Sequence, residues 1–205
     1  MSPRGVATPN VREQLFAAAE RVLAREGPAG LTNRAVTAEA GFATGLLYKH
    51  FADIDTFIAE LVLDRMRQSA QTAAALTDRV GQGTVAANLT DAVTSLLGPQ
   101  GPAMTAAAMS RPGISGQVRA AMEQGAPSFG AIEASITGYL DQEKDLGRIG
   151  ADTDTETLAL AIVGTLHHLL MTGWAGTPDP AARVRRLIAV LDAGMAPGGG
   201  LSSGS

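Results

Sequence analysis

Hydrophobic residues recur every three or four positions along most of the chain. No stretch sustains the alternation of apolar and polar side chains that marks a half-buried β-strand. Glycine and proline interrupt the pattern repeatedly, as they do between helices. The spacing predicts an all-α fold of about ten helices. Their expected positions are residues 11–26, 32–41, 44–51, 53–76, 84–97, 102–110, 114–124, 128–146, 154–174 and 180–195.

Residues 31–51 have the pattern of two short helices that cross at a steep angle. Thr32 is suited to cap the first of them, because its hydroxyl can accept a bond from a backbone N–H of the first turn. Gly41 stands where the chain must reverse, and a left-handed backbone costs glycine nothing there. Four apolar side chains are expected to hold the pair against the preceding helix: Val36, Phe42, Leu47 and Phe51.

The same segment carries a family pattern. It has a threonine at residue 32, Ala-Gly-apolar at residues 40–42, and Gly-x-Leu-Tyr-x-His-Phe at residues 45–51. This pattern resembles the tetracycline-repressor-like regulators over about residues 10–62, and beyond them the resemblance rests on helix lengths and order. It implies a three-helix helix-turn-helix DNA-binding domain at 1–52 and a larger helical ligand-binding and dimerisation domain at 53–197. The Gly/Ser-rich residues 198–205 have little to bury and predict a flexible tail.

The resemblance also implies which residues face DNA. Thr32 would hold a backbone phosphate, and Arg34 would reach a phosphate or a guanine edge. The first residues of the second helix would lie at the base edges of the major groove. The whole set has three groups, at the start of the first crossed helix, at the groove-facing tip and on the phosphate backbone: Thr32, Asn33 and Arg34; Ala43, Thr44, Gly45 and Leu46; Tyr48, Lys49 and His50.

Two departures from the family's pattern bear on DNA reading. Ile54 stands where the family usually has a lysine, so one phosphate contact is missing. The tip is apolar apart from Thr44, so base reading would depend on Arg34, on Thr44 and on contacts with thymine methyl groups, or on DNA shape. These departures leave a second hypothesis open, in which the chain is a helical ligand-binding protein with a vestigial DNA reader.

Charge is divided unevenly along the chain, although the net formal charge is −4. Residues 1–52 carry six Lys/Arg against four Asp/Glu, which gives +2, whereas residues 53–205 carry ten against sixteen, which gives −6. The amino-terminal quarter is therefore the part that can approach phosphates without net repulsion. Cysteine is absent, which excludes disulfides, thiolate metal sites and cysteine nucleophiles and fits the cytoplasm as the expected location.

The segment 158–175 is apolar nearly all round, and its length reaches the lower bound for a membrane span. Acidic residues flank it and two histidines lie in its middle, so we interpret it as a helix buried on every side and not as a membrane anchor. The next helix keeps apolar residues at helical spacing on one side and Arg183, Arg185 and Arg186 outward. The pattern predicts a homodimer through helices 154–174 and 180–195.

A two-fold dimer would read a near-palindromic operator in double-stranded DNA. A small, largely apolar inducer bound against the long helix 53–76 would tilt it and release the DNA. Methionine adapts to irregular apolar ligands and histidine offers a polar anchor, whereas ordinary core packing is the alternative role for each methionine. The candidate pocket residues are Met66, Met104, Met109, Met122, Phe129, His167, His168 and Trp174. Adjacent histidines point about 100° apart, so one is expected at the pocket and the other at the dimer seam.

Other signals do not support a cofactor or a metal site. Residues 81–86 imitate a dinucleotide-binding fingerprint but follow a helical stretch, so they predict an interhelical turn. The acids of 152–156 resemble a calcium loop, but Thr157 stands where glycine is required, and acids at a helix start offset its dipole. A third hypothesis, a helical enzyme with His167 or His168 as acid–base, remains, although no nucleophile stands at a recognisable spacing from a base.

Overall fold

The computed structural model describes residues 10–172 and 179–195. In this part of the chain the regular structure is helical throughout and contains no strand, which confirms the all-α prediction. Its ten α-helices are α1 (Val11–Glu26), α2 (Asn33–Glu39), α3 (Leu47–His50), α4 (Ile54–Ala74), α5 (Val85–Leu97), α6 (Gly101–Met109), α7 (Pro112–Glu123), α8 (Phe129–Asp145), α9 (Thr155–Thr172) and α10 (Pro180–Met195).

The predicted helix at residues 44–51 differs from the observed one. It begins as a 3-10 turn, Thr44–Leu46, and only then becomes α3. Ala43 precedes the turn and offers no side-chain cap, and the backbone closes the tighter bond from the Leu46 N–H to the Ala43 carbonyl at 2.9 Å. The long helix likewise tightens at its end, because α4 gives way to a 3-10 segment at Ala75–Arg79.

One compact unit comprises residues 1–63 and 103–121. The face of α1 predicted to be apolar is buried in it, at Leu15, Ala18, Ala19, Val22 and Leu23. Three phenylalanine rings close the core beside this face, with centroids 5.9 Å apart for Phe16 and Phe51, 5.6 Å for Phe16 and Phe57, and 4.9 Å for Phe51 and Phe57. Such aromatic clusters add specific geometry to the burial of apolar area.

The start of α4 is fixed within this unit by polar contacts. Asp53 caps the helix, because its Oδ1 accepts the Thr56 N–H at 2.7 Å. This backbone hydrogen bond lowers the pKa of the Asp53 carboxyl. Asp55, in the first turn, pairs with Arg111. The predicted cap at residue 53 is therefore confirmed, whereas the contact with a residue 56 positions away in the sequence had no local signal.

The other compact unit comprises residues 64–102 and 122–205. The predicted inward face of α5 is buried, at Val85, Leu89, Val93 and Leu96. Helices α8, α9 and α10 each contribute buried residues to the same core: Ile136 and Leu140; Ile162 and Leu166; Val184 and Ile188. The units cut α4 after Leu63, and the predicted functional boundary after residue 52 stays a prediction.

The turn at residues 80–84 is held by a buried polar network. The Gly81 N–H donates to Glu143 Oε1 at 3.1 Å, and Asn88 Nδ2 donates to the Gln82 carbonyl at 2.9 Å and to the Tyr139 hydroxyl at 3.0 Å. Arg148 lies 3.0 Å from the other Glu143 oxygen, which supplies the buried carboxylate with a counter-charge. Residues 81–86 are thus an interhelical turn running into α5, as predicted, with left-handed backbone at Gly81 and Gly83.

Asp154 acts on the backbone at the start of α9. Its Oδ1 accepts the Thr157 N–H at 3.0 Å, and its Oδ2 accepts the Thr157 hydroxyl at 2.6 Å. These bonds lower the pKa of the Asp154 carboxyl. The predicted role of the acids in stabilising this helix start is confirmed at Asp154. None of the described helices, α9 included, has the length and apolarity needed to cross a bilayer.

Candidate nucleic-acid interface

The first crossed helix, α2, begins as the sequence predicts. Thr32 has an extended backbone, and its Oγ1 accepts the Ala35 N–H at 3.2 Å. The side chain is exposed. A hydroxyl both donates and accepts, so the cap leaves the Thr32 O–H proton available to a phosphate oxygen.

Gly41 ends α2 in the manner its position predicts. Its φ is +72°, and two hydrogen bonds close the helix end: Phe42 N–H to the Thr37 carbonyl at 2.8 Å, and Gly41 N–H to the Ala38 carbonyl at 3.1 Å. This pair of bonds around a left-handed residue is the Schellman motif. A Cβ at Gly41 would meet no atom within 4 Å, so the requirement for glycine here is conformational and not steric.

The inner sides of the two crossed helices are anchored in the core. Val36 of α2 and Leu47 of α3 are fully buried, and Phe51 is 4% exposed, which confirms three of the four predicted anchors. The fourth, Phe42, is half-buried. Since the inner sides are packed, the outer sides are presented together on one rigid support.

The structure places most of the ten predicted DNA-facing residues on the surface. Tyr48 is 56% exposed, which is a large exposed fraction for an aromatic side chain. Asn33 and Leu46 are half-buried. The others are exposed: Thr32, Arg34, Ala43, Thr44, Gly45, Lys49 and His50. Their contacts with DNA stay a prediction, because exposure is a requirement for such contacts and not a demonstration of them.

Asn33 differs from its neighbours Thr32 and Arg34, which are exposed, because its own side chain is half-buried. Its Oδ1 is enclosed and has no hydrogen-bond partner in the described part of the chain. The amide nitrogen of the same side chain is a donor, and it is the atom suited to a phosphate oxygen.

Several cations of the amino-terminal segment are neutralised inside the unit. Arg21 and Arg25 both bind Glu39, at 2.6 Å and 3.1 Å, and tie the end of α2 to α1. These hydrogen bonds, first from Arg21 and then from Arg25, lower the pKa of the Glu39 carboxyl. Arg12 pairs with Glu60 and lies over the Phe51 ring, 4.7 Å from its centroid. These three arginines are therefore structural.

Arg34 and Lys49 differ from the other cations of this segment. Both are exposed, and neither forms an ion pair with a carboxylate of the described residues. One lies on each crossed helix, within residues 31–51. Two uncommitted positive charges on the outer sides of a packed helix pair suit contact with phosphates.

The predicted ligand residues that the structure describes are divided between the two compact units. Met104 is buried in the unit that holds the crossed helices, and Met109 of the same unit is 62% exposed. Met66 and Met122 are half-buried in the other unit. Trp174 lies outside the described residues. These five positions stay proposals for ligand contact.

The remaining three predicted ligand residues lie on or beside α9. Phe129 is half-buried, and its ring meets the His167 ring edge to face, with centroids 5.0 Å apart. His167 and His168 are both exposed. Neither histidine is enclosed in the described part of the chain, so their division between a pocket and a dimer seam stays a prediction.

The structure shows two adjoining cavities that the sequence reasoning did not identify. They lie between α5 and the second half of α4 with the 3-10 segment that follows it, and they share Thr72 and Ser95. The larger has a volume of about 310 Å³ and the smaller about 110 Å³. The only local signal was polar: Arg65, Gln68, Ser69 and Thr72 recur at helical spacing along α4.

A second exposed surface follows α9. Leu160 is 59% exposed and Met171 is 48% exposed, with Gly164 and His167 at helical spacing between them. On α10, Val190 is 71% exposed. Exposed apolar residues aligned along one face of a helix whose opposite face is buried are typical of a protein interface.

The amino-terminal unit matches a known family. Residues 15–61 fit the family model for bacterial regulatory proteins of the tetR family. No curated protein matches the chain.

Solved structures share the fold over most of the chain. A protein from Mesorhizobium loti assigned to the TetR family of transcriptional regulators has 19% identity and a TM-score of 0.69, over 92% of this chain and 96% of that one. A TetR transcriptional regulator from Streptomyces coelicolor has 21% identity and a TM-score of 0.57, over 91% and 99%. The regulator FadR from Bacillus subtilis, solved in complex with stearoyl-CoA, has 17% identity and a TM-score of 0.61, over 89% and 98%.

Proposed function

Through its residues 15–61 the chain belongs to the tetR family of bacterial regulatory proteins, and on that basis we propose that it is a homodimeric transcriptional repressor released from its operator by a small molecule. The proposed role is binding and release, in the cytoplasm, with no catalytic step. The observation that carries it is the helix pair α2 and α3, which is packed inward and bears Arg34 and Lys49 on its outer side, without carboxylate partners among residues 10–172 and 179–195.

In the proposed complex residues 43–46, the turn that leads into α3, enter the major groove of the operator. Thr44 and Arg34 supply the hydrogen bonds to base edges, and Ala43 or Leu46 contacts thymine methyl groups. Thr32, Tyr48, Lys49 and His50 lie along the phosphates and fix the register. Because few side chains can read bases, DNA shape contributes to specificity.

The proposed dimer forms through α9 and α10. A two-fold axis would bring the exposed apolar stripe of α9 against its copy and bury Leu160 and Met171. The three arginines of α10 are half-buried or exposed, at residues 183, 185 and 186, so they can stay at the rim. Each copy would then present one α3 to half-sites about 34–36 Å apart.

The proposed switch uses α4, which is one continuous helix from Ile54 to Ala74. Its second half lines the two cavities described above, and its first turn is held by Asp53 and by the pair of Asp55 with Arg111. A ligand in the cavities would displace α4 and change the separation of the two readers. A coupling of about 1–3 kcal/mol would weaken DNA binding about 5- to 150-fold.

A titration of the promoter region beside the gene for this protein tests the proposal. Fluorescence anisotropy of a labelled fragment is followed from low to physiological salt, with a shuffled fragment of equal length beside it. We expect specific binding that weakens steeply as salt rises. If the two fragments bind alike at every salt concentration, the reader is not specific.

The alternative is a ligand-binding protein whose DNA reader is vestigial. It is favoured by Ile54, a half-buried apolar residue at the first position of α4, and by the apolar tip at residues 43–46. This alternative predicts no complex with either fragment even at low salt, together with retained binding of small molecules.

A further inference from the structure

We propose that the cavities between α4 and α5 bind an amphiphilic oxyanion, a carboxylate or a phosphate monoester with a short apolar body, and that Arg65 holds its charged head. Only the consequence for DNA rests on the proposed function. The binding itself is argued from the contacts of residues 64–102, within one compact unit.

Arg65 has an unused capacity to bind an anion. Its side chain lines the smaller cavity and is half-buried. The guanidinium makes one hydrogen bond, from Nη1 to Gln68 Oε1 at 3.2 Å, and no ion pair with a carboxylate of the described residues. A guanidinium has five N–H donors, so four remain without an acceptor among the described residues. A partly desolvated cation with free donors favours an anionic partner.

The rest of the smaller cavity adds donors and no competing acid. Ser69 and Ser95 line it, and neither hydroxyl makes a hydrogen bond within the described part of the chain. Thr72 is already committed, since its hydroxyl donates to the Gln68 carbonyl at 3.0 Å. No carboxylate lines this cavity among the described residues. Its volume of about 110 Å³ suits a head group and not a whole ligand.

The larger cavity supplies room for an apolar body. Ala75, Leu76 and Ala92 line it next to the shared Thr72 and Ser95. The arginine that lines this larger cavity, Arg79, forms an ion pair with Asp91 at 3.1 Å. The volume of about 310 Å³ stands at the lower end of the range for small-molecule sites. These features favour a short chain, and the free charge at Arg65 disfavours a cationic ligand.

Isothermal titration calorimetry of the full chain tests this site with three probes of equal chain length: octanoate, monooctyl phosphate and 1-octanol. We expect at least one of the two anions to bind at least about tenfold more tightly than the alcohol, since hydrogen bonds to charged groups are the strong ones. Which of the two anions binds more tightly identifies the head group. Binding of 1-octanol with an affinity equal to both anions would overturn the proposal, as would failure of both anions to bind.

Arg65 and Arg67, two residues apart on α4, provide the matched variants. Arg65→Gln is expected to weaken anion binding at least about tenfold, and Arg65→Lys, which keeps the charge and the fold of the helix, to weaken it by less. Arg67→Gln removes an exposed arginine of the same helix that is paired with Asp64 at 2.7 Å, and it should leave anion binding unchanged. Equal anion binding by the wild type and both Arg65 variants would contradict the assignment.

The calorimetry contains no DNA, so its result decides the anion site independently of the proposed function. Adding the tighter anion to the promoter titration then tests the regulatory role. Binding of the anion without binding of the promoter would support this anion site and contradict the proposed function. Binding of the promoter without binding of either anion would support the proposed function and contradict this anion site.

Discussion

At the scale of single residues, Gly41 shows how one backbone angle supports the reader. We expect Gly41→Ala to lower the free energy of unfolding by about 1–2 kcal/mol, because a side chain makes the left-handed conformation unfavourable. No neighbour would be struck by the new methyl group, so the whole effect is conformational. Urea unfolding followed by circular dichroism measures it.

Gly116 provides the opposite case in the same compact unit. It lies within α7, and a Cβ there also meets nothing within 4 Å. Gly116→Ala should stabilise the protein by about 0.5–1 kcal/mol, because alanine favours a helix interior. If both substitutions changed the free energy of unfolding equally, the left-handed backbone at Gly41 would not be what requires glycine there.

Deprotonation of Tyr139 makes the free energy of unfolding depend on pH in the alkaline range. Burial raises the pKa of its phenol to about 12, from about 10 in an unfolded chain. The folded state therefore holds the proton more tightly. This contribution is complete below about pH 10 and is lost as the pH rises to about 12. We expect the free energy of unfolding to fall less steeply from about pH 10 to about pH 12 in Tyr139→Phe than in the wild type.

The exposed tyrosine provides the control for this measurement. Tyr48→Phe removes a phenol that is 56% exposed, and it should keep the wild-type dependence on pH. If the free energy of unfolding of Tyr139→Phe depends on pH as that of the wild type does, deprotonation of this phenol is not linked to folding.

Lys49 is expected to contact a phosphate. Lys49→Gln should make the slope of log affinity against log salt shallower by about 0.9, because one fewer counterion is released. The loss should be similar on specific and shuffled duplexes, since phosphate contacts carry little sequence information. Arg67→Gln is the control, and an equal change in slope for both variants would remove Lys49 from the interface.

At the scale of the helices, the exposed stripe of α9 is expected to hold two copies together. Leu160→Glu would place like charges near a two-fold axis, and it should weaken dimerisation at least about tenfold. Sedimentation velocity over a range of concentrations measures the change. The control is Leu146→Glu, because Leu146 is 57% exposed against 59% for Leu160 and lies on neither α9 nor α10. An unchanged dimer in Leu160→Glu would place the interface elsewhere.

The helices themselves were largely predictable from local signals. Thr32, Asp53 and Thr84 cap helices through contacts within three residues, and such contacts are visible in a sequence. The inward faces of α1 and α5 followed from spacing alone. The 3-10 turn at Thr44–Leu46 was not foreseen, because it depends on how the chain leaves the Gly41 turn.

The candidate sites were predictable only in part. The reader could be identified because its residues are contiguous. The cavities could not, because the absence of a carboxylate partner for Arg65 among the described residues depends on which side chains α5 places beside it. Met109 was a candidate pocket residue because methionine adapts to apolar ligands, and in the structure it is 62% exposed. Chemical type does not reveal which side of a helix will be covered.

At the scale of the whole molecule, the compact units do not follow chain order. Residues 103–121 join residues 1–63, and the Asp55–Arg111 pair lies within that unit. Sequence order predicts one boundary between the two domains, after residue 52, whereas the chain passes between the compact units three times, after residues 63, 102 and 121. Hydrophobic spacing therefore identifies the elements but not their grouping.

The central claim is that two copies of this chain read one duplex together. The most direct test is the stoichiometry of the complex with the promoter fragment, measured by native mass spectrometry on the intact site and on a fragment with one half-site shuffled. We predict two chains on the intact duplex and at least about tenfold weaker binding once a half-site is lost. One chain per duplex, or equal binding to both fragments, would contradict the account.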